Sequence, residues 1–133
     1  MKKDFEKPVV EGVTIAIQLD VSKAENYWTV HIINSNEFTL ENIIVASKGY
    51  NKKGEKAEVT STLRHRFDTI EANATQQIEV ITEEVFRLFN EYWVSYFVEG
   101  KLYDKKFTFV PESIKLENLT FIKELDSKGV LHA

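Results

Sequence analysis

The sequence predicts an all-β protein, an immunoglobulin-like antiparallel β-sandwich of about seven strands with one short helix. Apolar and polar residues alternate over several short segments, as they do in strands that bury one face. Short runs of Asn, Ser, Gly and Lys separate these segments, so the chain lacks the regular strand–helix alternation of a parallel α/β fold. A small barrel covered by a helix is the alternative architecture.

The first two predicted strands span residues 9–19 and 27–33. In the first, four large apolar residues (Val13, Ile15, Ile17 and Leu19) alternate with Thr14, Ala16 and Gln18. The second is rich in aromatic and β-branched residues, which strands favour. Its residues Trp28, Val30 and Ile32 share one face, and His31 lies on the other, less buried face.

The next two strands are predicted on either side of a glycine-containing turn. Residues 40–50 resume the apolar pattern after the polar turn 34–37, because Asn and Ser side chains bond readily to nearby backbone. Residues 51–54 form the second turn, in which Gly54 can adopt a positive φ. Residues 56–63 then return as a strand with one polar, exposed face.

The spacing changes after a short predicted strand at residues 77–81. Apolar residues recur at helical intervals around residues 82–90, which predicts an amphipathic helix. Thr82 is a candidate N-cap, and Glu83 and Glu84 suit the positive end of the helix dipole. A pocket between this helix and the sheet is one place where a ligand could bind.

A tight hairpin is predicted at residues 92–110. Two strand-like runs, 92–98 and 101–110, are separated only by Glu99 and Gly100, and a two-residue loop that ends in Gly is a strong hairpin signal. Beyond Pro111 the apolar residues fit neither period. A short helix and an extended strap with a final strand at residues 129–131 are both open.

The length of 133 residues and the hydrophobic fraction of 43% suit one core. We expect residues 1–8 to form a flexible N-terminal segment and residues 9–133 to form a single domain. The aromatic residues, including the mid-strand Trp28 and Trp93, are expected in the core. An aromatic platform that stacks a base or a sugar is the alternative for them.

The composition also excludes several kinds of site. With no Cys, the chain has no disulfide, no thiol nucleophile and no Cys-ligated zinc. His31, His65 and His132 are far apart, without the spacing of metal ligands, and His132 is expected in a disordered tail. The acidic residues Glu83, Glu84, Glu91 and Asp104 show no spacing that brings them to one cleft. We therefore predict no catalytic residue, no metal and no cofactor.

Charge and hydropathy predict where the protein is located and which kinds of partner it has. The net charge of −4 gives no general attraction to phosphate backbones, which makes a nucleic acid partner unlikely. The charged start of the chain is unlike a secretory signal, and no apolar run is long enough to span a membrane. We expect a cytoplasmic protein without a membrane partner.

The charge is unevenly distributed along the chain. Residues 48–66 carry six basic and two acidic side chains, whereas residues 67–100 carry one basic and seven acidic ones. Such a basic segment at a sheet edge can attract an acidic partner or a phosphate-bearing ligand. Alternatively, charges on an edge strand only prevent aggregation. The candidate binding residues are Lys48, Tyr50, Lys52, Lys53, Arg64, His65 and Arg66.

Two family resemblances bear on fold and function. Residues 28–45, followed by Tyr50 and the turn at 51–54, resemble the opening of FxLYD-type immunoglobulin-like domains, in which a strand ends in Asn before a polar turn. This resemblance implies a fold and no site. Residues 47–50, 61–65, 89–94 and 100–107 resemble a family of short bacterial proteins, some labelled phenylalanyl-tRNA synthetase subunit alpha. That label implies an association with RNA or tRNA.

Three functions follow as hypotheses. The first is a non-enzymatic protein-binding or scaffolding module whose sheet face or edge contacts a partner protein, which is acidic if the basic segment makes the contact. The second is a ligand-binding protein or enzyme that uses Tyr and Arg side chains in the pocket beside the helix. The third is association with RNA or tRNA through residues 48–66.

Overall fold

The computed structural model describes residues 8–23, 25–51 and 58–132. Within them, nine strands form two antiparallel sheets, which confirms the predicted all-β sandwich with more strands than the expected seven. The strands are β1 (Val13–Asp20), β2 (Tyr27–Asn34), β3 (Leu40–Tyr50), β4 (Leu63–Ile70), β5 (Thr75–Ile81), β6 (Phe89–Val98), β7 (Lys101–Phe109), β8 (Thr120–Ile122) and β9 (Ser127–His132). The predicted flexible segment 1–8 lies outside the described residues except for Pro8, as do Lys52, Lys53 and the turn at Gly54.

The strand order is that of an immunoglobulin-like sandwich with an extension. One sheet has the order β5-β2-β1-β9-β8 and the other β4-β3-β6-β7. The chain therefore crosses between the sheets after β2, β4, β5 and β7. Among the first seven strands, β1, β2 and β5 lie in one layer, and β3, β4, β6 and β7 lie in the other, as in a Greek key. Strands β8 and β9 widen the first sheet beside β1. None of the helices in the described ranges is long and apolar enough to cross a membrane.

The core lies between the two sheets and follows from the alternation of side chains along each strand. The four apolar residues predicted to face inward from β1 are buried, and Trp28, Val30 and Ile32 of β2 are buried opposite them. A smaller apolar cluster on the outer side of the five-stranded sheet contains Ala16, Ile33 and Ile122. This cluster explains why Ile33 is buried although it faces away from Trp28.

The predicted amphipathic helix at residues 82–90 is wrong. Only a 3₁₀ helix at Glu83–Arg87 forms, and β6 begins at Phe89. The buried Asn90 donates two side-chain hydrogen bonds, of 2.9 Å to the carbonyl oxygen of Val85 and 3.1 Å to that of Leu88. These bonds satisfy carbonyls at the end of the short helix, so the chain leaves the helix early without orphaned acceptors.

The hairpin and the third strand are confirmed, but the fourth strand is displaced. Residues 40–50 form β3 as predicted, and β6 and β7 are joined by Glu99 and Gly100, whose φ values of 50° and 79° suit a tight hairpin turn. The predicted strand 56–63 is wrong over residues 58–62: β4 begins at Leu63, and Val59 makes only an isolated bridge to Tyr50.

The segment beyond Pro111 contains both a short helix and a final strand, the two alternatives that the sequence left open. Leu116–Asn118 forms a 3₁₀ helix, and β8 and β9 follow it. The expected position of His132 in a disordered tail is wrong, because this residue pairs with Ile15 in β9. Its ring lies edge-on to Phe107 and Phe109, with centroid distances of 5.7 and 5.5 Å.

Asn34 at the end of β2 organises the loops at one end of the sandwich. It is fully buried, and its amide nitrogen donates to the carbonyl oxygens of Phe38, Ile70 and Glu71. Its side-chain oxygen accepts from the backbone and the side chain of Asn36. One amide therefore ties the turn before β3 to the turn after β4, which explains structurally why an Asn ends this strand.

Gly129 allows β9 to pack closely against β1. A Cβ at this position would lie 2.5 Å from the carbonyl oxygen of Ile17 and 3.1 Å from the Cα of Gln18. Both atoms belong to the backbone, so the two strands must separate to make room. We expect Gly129→Ala to lower the free energy of unfolding by about 1–3 kcal/mol, measured by urea titration.

The control for this prediction is Leu131→Ala on the same strand. The Leu131 side chain is exposed, so this change should alter the free energy of unfolding by only about 0.5 kcal/mol. Equal midpoints for the Gly129 variant and the wild type would show that the approach of β9 to β1 tolerates a methyl group.

Candidate functional site

The outer face of the four-stranded sheet carries the most distinctive exposed side chains of the described residues. Paired residues of neighbouring strands point to the same side of a sheet. The pairings Arg64 with Ala46, Ala46 with Trp93, and Trp93 with Lys106 therefore place these four residues in one row across all four strands. The next row contains Arg66, Ile44, Ser95 and Asp104. We call this surface, together with Lys48, Tyr50 and Leu102, the outer face.

Trp93 is the centre of this outer face, and its predicted place in the core is wrong. The residue is 43% exposed, whereas Trp28 is 2% exposed and confirmed in the core. Tyr92 and Val94, the neighbours of Trp93 along β6, point inward and are buried, so Trp93 must point outward. The ammonium group of Lys106 lies 4.9 Å from the centroid of the Trp93 ring, within the range of a cation–π interaction.

Four of the predicted site residues lie on the outer face. Lys48 and Tyr50 point outward from β3, and the Lys48 ammonium lies 5.8 Å from the Tyr50 ring. Tyr50 also stacks on Phe89 at a centroid distance of 5.4 Å. Burial, and then the neighbouring Glu91 carboxylate, raise the pKa of Tyr50 above its ordinary value.

Arg64 and Arg66 point outward from β4, which is an outermost strand of its sheet. The Arg66 guanidinium bonds to Asp68 at 2.6 Å and to the side chain of Asn42 at 2.9 Å, so it is held in place by neighbours. Arg64 makes no ion pair with another of the described residues and extends beside Ala46. Its charge is therefore available to a partner.

His65, the fifth described candidate, does not join the outer face. It is paired with the buried Val45 and points toward the other sheet, where its Nε2 lies 2.8 Å from Oε1 of Glu79. Glu79 is on β5, and its side chain is 11% exposed. Because a carboxylate only accepts hydrogen bonds, the proton of this contact belongs to Nε2 of His65.

Glu79 is the central residue of a polar cluster that connects the five-stranded sheet to the four-stranded sheet. The Ser47 hydroxyl donates to Oε1 of Glu79 at 2.9 Å, and the Tyr92 hydroxyl donates to Oε2 at 3.1 Å. Burial, and then Glu79, raise the pKa of Tyr92 well above its ordinary value, which keeps this phenol a donor. A cavity of about 290 Å³ adjoins the cluster.

The cluster contains a Ser, a His and a Glu, but its geometry differs from that of a nucleophilic site. A Ser nucleophile is activated when its hydroxyl bonds to the His that removes its proton. Here Ser47 and His65 both bond to the same oxygen of Glu79, and Ser47 is buried. The arrangement therefore joins β3, β4, β5 and β6 and does not activate the Ser47 hydroxyl.

A larger cleft of about 910 Å³ lies beside the 3₁₀ helix, at the end of the sandwich opposite Asn34. A pocket between helix and sheet was predicted to use Tyr and Arg side chains. The cleft includes Arg87 among its lining residues, but Arg64, His65 and Tyr103 do not line it. Among the described residues, no group of three or more His, Asp or Glu side chains is placed to hold a metal ion.

No protein-family model matches this chain, and no curated protein matches it either. The two family resemblances stay predictions. The binding role of the residues on the outer face likewise rests on geometry and chemistry alone.

Proposed function

We propose that this protein is a non-enzymatic binding module that holds a partner protein against its outer face. The observation that carries the proposal is the half-exposed Trp93 in the middle of a sheet, between Arg64 and Lys106. Trp and Arg are the residues that most often dominate the binding energy of protein interfaces. Ile44 and Leu102 are also exposed and extend the apolar area beside them.

The charges beside Trp93 favour an acidic partner. Four basic side chains point outward (Lys48, Arg64, Arg66 and Lys106) against four acidic ones (Glu41, Asp68, Glu91 and Asp104), a local balance of 4 − 4 = 0 in a chain of net charge −4. The row that contains Trp93 holds only the basic residues Arg64 and Lys106. Glu91 is buried beneath its neighbours. A partner with carboxylates around an apolar centre would cover Trp93 while pairing with Arg64 and Lys106. The proposal keeps the cytoplasm as the expected location.

The test compares affinity purifications from native lysate with the wild type and with Trp93→Ala as baits. We expect the wild type to retain a protein that Trp93→Ala loses, and the Kd of the purified pair to rise by about 30-fold or more. The Arg64→Glu variant should slow association and reduce its salt dependence, because the charge that attracts an acidic partner is reversed.

The matched control is Leu131→Ala, which removes a side chain of similar exposure (47%) from the other sheet. It should retain the same protein at the wild-type Kd. A partner that binds the wild type and Trp93→Ala equally would contradict the proposal. Salt-dependent binding of bulk tRNA at the outer face, in place of a protein, would also contradict the proposal, because that result would favour nucleic acid association.

A further inference from the structure

The cleft at the end of the sandwich has an apolar floor. Trp28 and Phe86 meet there edge to face, with ring centroids 5.1 Å apart, and Leu88 and Ile114 complete the floor. All four residues are buried. Apolar and aromatic surface at the base of a concavity is what most ligand sites use for contact area.

The rim of the cleft is acidic. Five Glu residues line it, at positions 58, 83, 84, 112 and 117, against the two basic residues Arg87 and Lys115. Arg87 is already neutralised, because the two terminal nitrogens of its guanidinium, Nη1 and Nη2, donate to the two carboxylate oxygens of Glu58. Among the described residues, the remaining rim therefore carries four carboxylates and one Lys.

One of these acids is bonded to its neighbours, and another has no partner among the described residues. Oε2 of Glu83 accepts hydrogen bonds of 3.1 Å from the Trp28 indole and 3.1 Å from the Asn26 amide, and these bonds lower the pKa of Glu83. Glu117 forms no ion pair or hydrogen bond through its carboxylate with other described residues. Unpaired negative charge above an apolar floor favours a ligand that is both cationic and apolar.

We propose that this cleft binds a basic polypeptide segment in which Lys or Arg side chains alternate with apolar ones. The apolar side chains would pack on the floor near Phe86 and Ile114, and the cationic groups would pair with Glu84 and Glu117. A volume of about 910 Å³ accommodates several side chains, more than a single ion or small amine would fill. This site lies apart from the outer face and involves none of its residues, so the two proposals stand independently.

The experiment is fluorescence anisotropy of the full chain with three dye-labelled short peptides. The probe alternates Lys with Leu; one control replaces Lys with Glu, and the other replaces Leu with Ser. We expect saturable binding of the Lys–Leu peptide only, with an affinity that falls as salt is raised. The Glu84→Lys/Glu117→Lys double variant should bind this peptide at least about tenfold more weakly.

The matched control variant is Glu71→Lys, which reverses an exposed charge at the opposite end of the sandwich and alters the net charge in the same direction. It should bind like the wild type after allowing for a net-charge change of two units. The single variants Glu84→Lys and Glu117→Lys change the net charge by the same amount as Glu71→Lys. Equal weakening by all three would overturn the proposal in favour of nonspecific attraction. Self-association of the chain that Glu84→Lys abolishes in sedimentation experiments without peptide would also overturn it, because the occupant would then be a second copy.

Discussion

Trp28→Ala is expected to lower the free energy of unfolding by about 3–5 kcal/mol. The indole is 2% exposed, it packs edge-on against Phe86, and it lies opposite Ile81 of β5 and Leu19 of β1. Removing it leaves a cavity that the surrounding strands can fill only in part. The substitution also removes the Nε1–H group that donates to Glu83. Urea titration followed by far-ultraviolet circular dichroism measures the loss.

The chain provides its own control for this prediction, since Trp93 is the same residue type at a half-exposed position. Trp93→Ala should cost about 1 kcal/mol or less, because the outer face can be solvated without creating a cavity. A third variant, Trp28→Phe, keeps a ring but loses the indole donor and should fall between the two. Equal losses for the two Ala variants would contradict the assignment of Trp28 to the core and Trp93 to the surface.

Glu79→Leu is expected to lower the free energy of unfolding by about 2–4 kcal/mol. The hydroxyls of Ser47 and Tyr92 both donate to Glu79, and both residues are buried. Leu has a similar size but accepts no hydrogen bond, so these two donors lose their carboxylate partner, and only water in the adjoining cavity can replace it. His65 loses less, because its side chain is 25% exposed and can bond to water.

A double-mutant cycle separates this explanation from a simple packing defect. In the Ser47→Ala/Tyr92→Phe background the two hydroxyl donors are absent, so Glu79→Leu should lower the free energy of unfolding by about 1 kcal/mol or less. The difference between the two backgrounds is then a coupling energy of about 1–3 kcal/mol. If Glu79→Leu costs the same in both backgrounds, the loss does not come from the hydrogen bonds that the Glu79 carboxylate accepts. Each variant is measured by the same urea titration, with the slope of the transition checked for constancy.

The parts of the fold that could be predicted are those whose local signals agree. β3 has alternation along its length and turn residues on both sides, and the β6–β7 hairpin has a two-residue loop with a Gly. The helix at residues 82–90 could not be rejected from sequence, because its apolar spacing is compatible with a helix. What ends it is the side chain of Asn90, which bonds to carbonyls that a longer helix would have used.

The sequence alone predicts that some residues of the outer face lie together, whereas the position of the others depends on the register of the strands. Lys48 and Tyr50 are two residues apart on one strand, as are Arg64 and Arg66, so the pleat alone places each pair on one side. Trp93 and its neighbour Lys106 meet Arg64 only through pairing across β3, β6 and β7. Because β6 is aromatic on both faces around Trp93, alternation did not show which side faced the core.

Glu79 was also missed as a central residue. An acidic side chain in an alternating strand is usually solvated, and the sequence shows Glu79 in such a pattern between Ile78 and Val80. The irregular pairing of β5 with β2 near Val30 turns its carboxylate toward the other sheet, where three donors from distant segments converge. No local signal in the sequence contains that convergence.

The charges on the outermost strands of the four-stranded sheet also affect how the protein behaves at high concentration. β4 carries Arg64 and Arg66, and β7 carries Lys101, Lys105 and Lys106. If a second copy paired its β7 edge to edge with β7 of the first copy, the lysines of the two strands would lie close together and repel each other. Every contact of this kind in a fibril would carry the same repulsion. The protein can therefore expose Trp93 and Ile44 to a partner while its sheet edges resist elongation into amyloid.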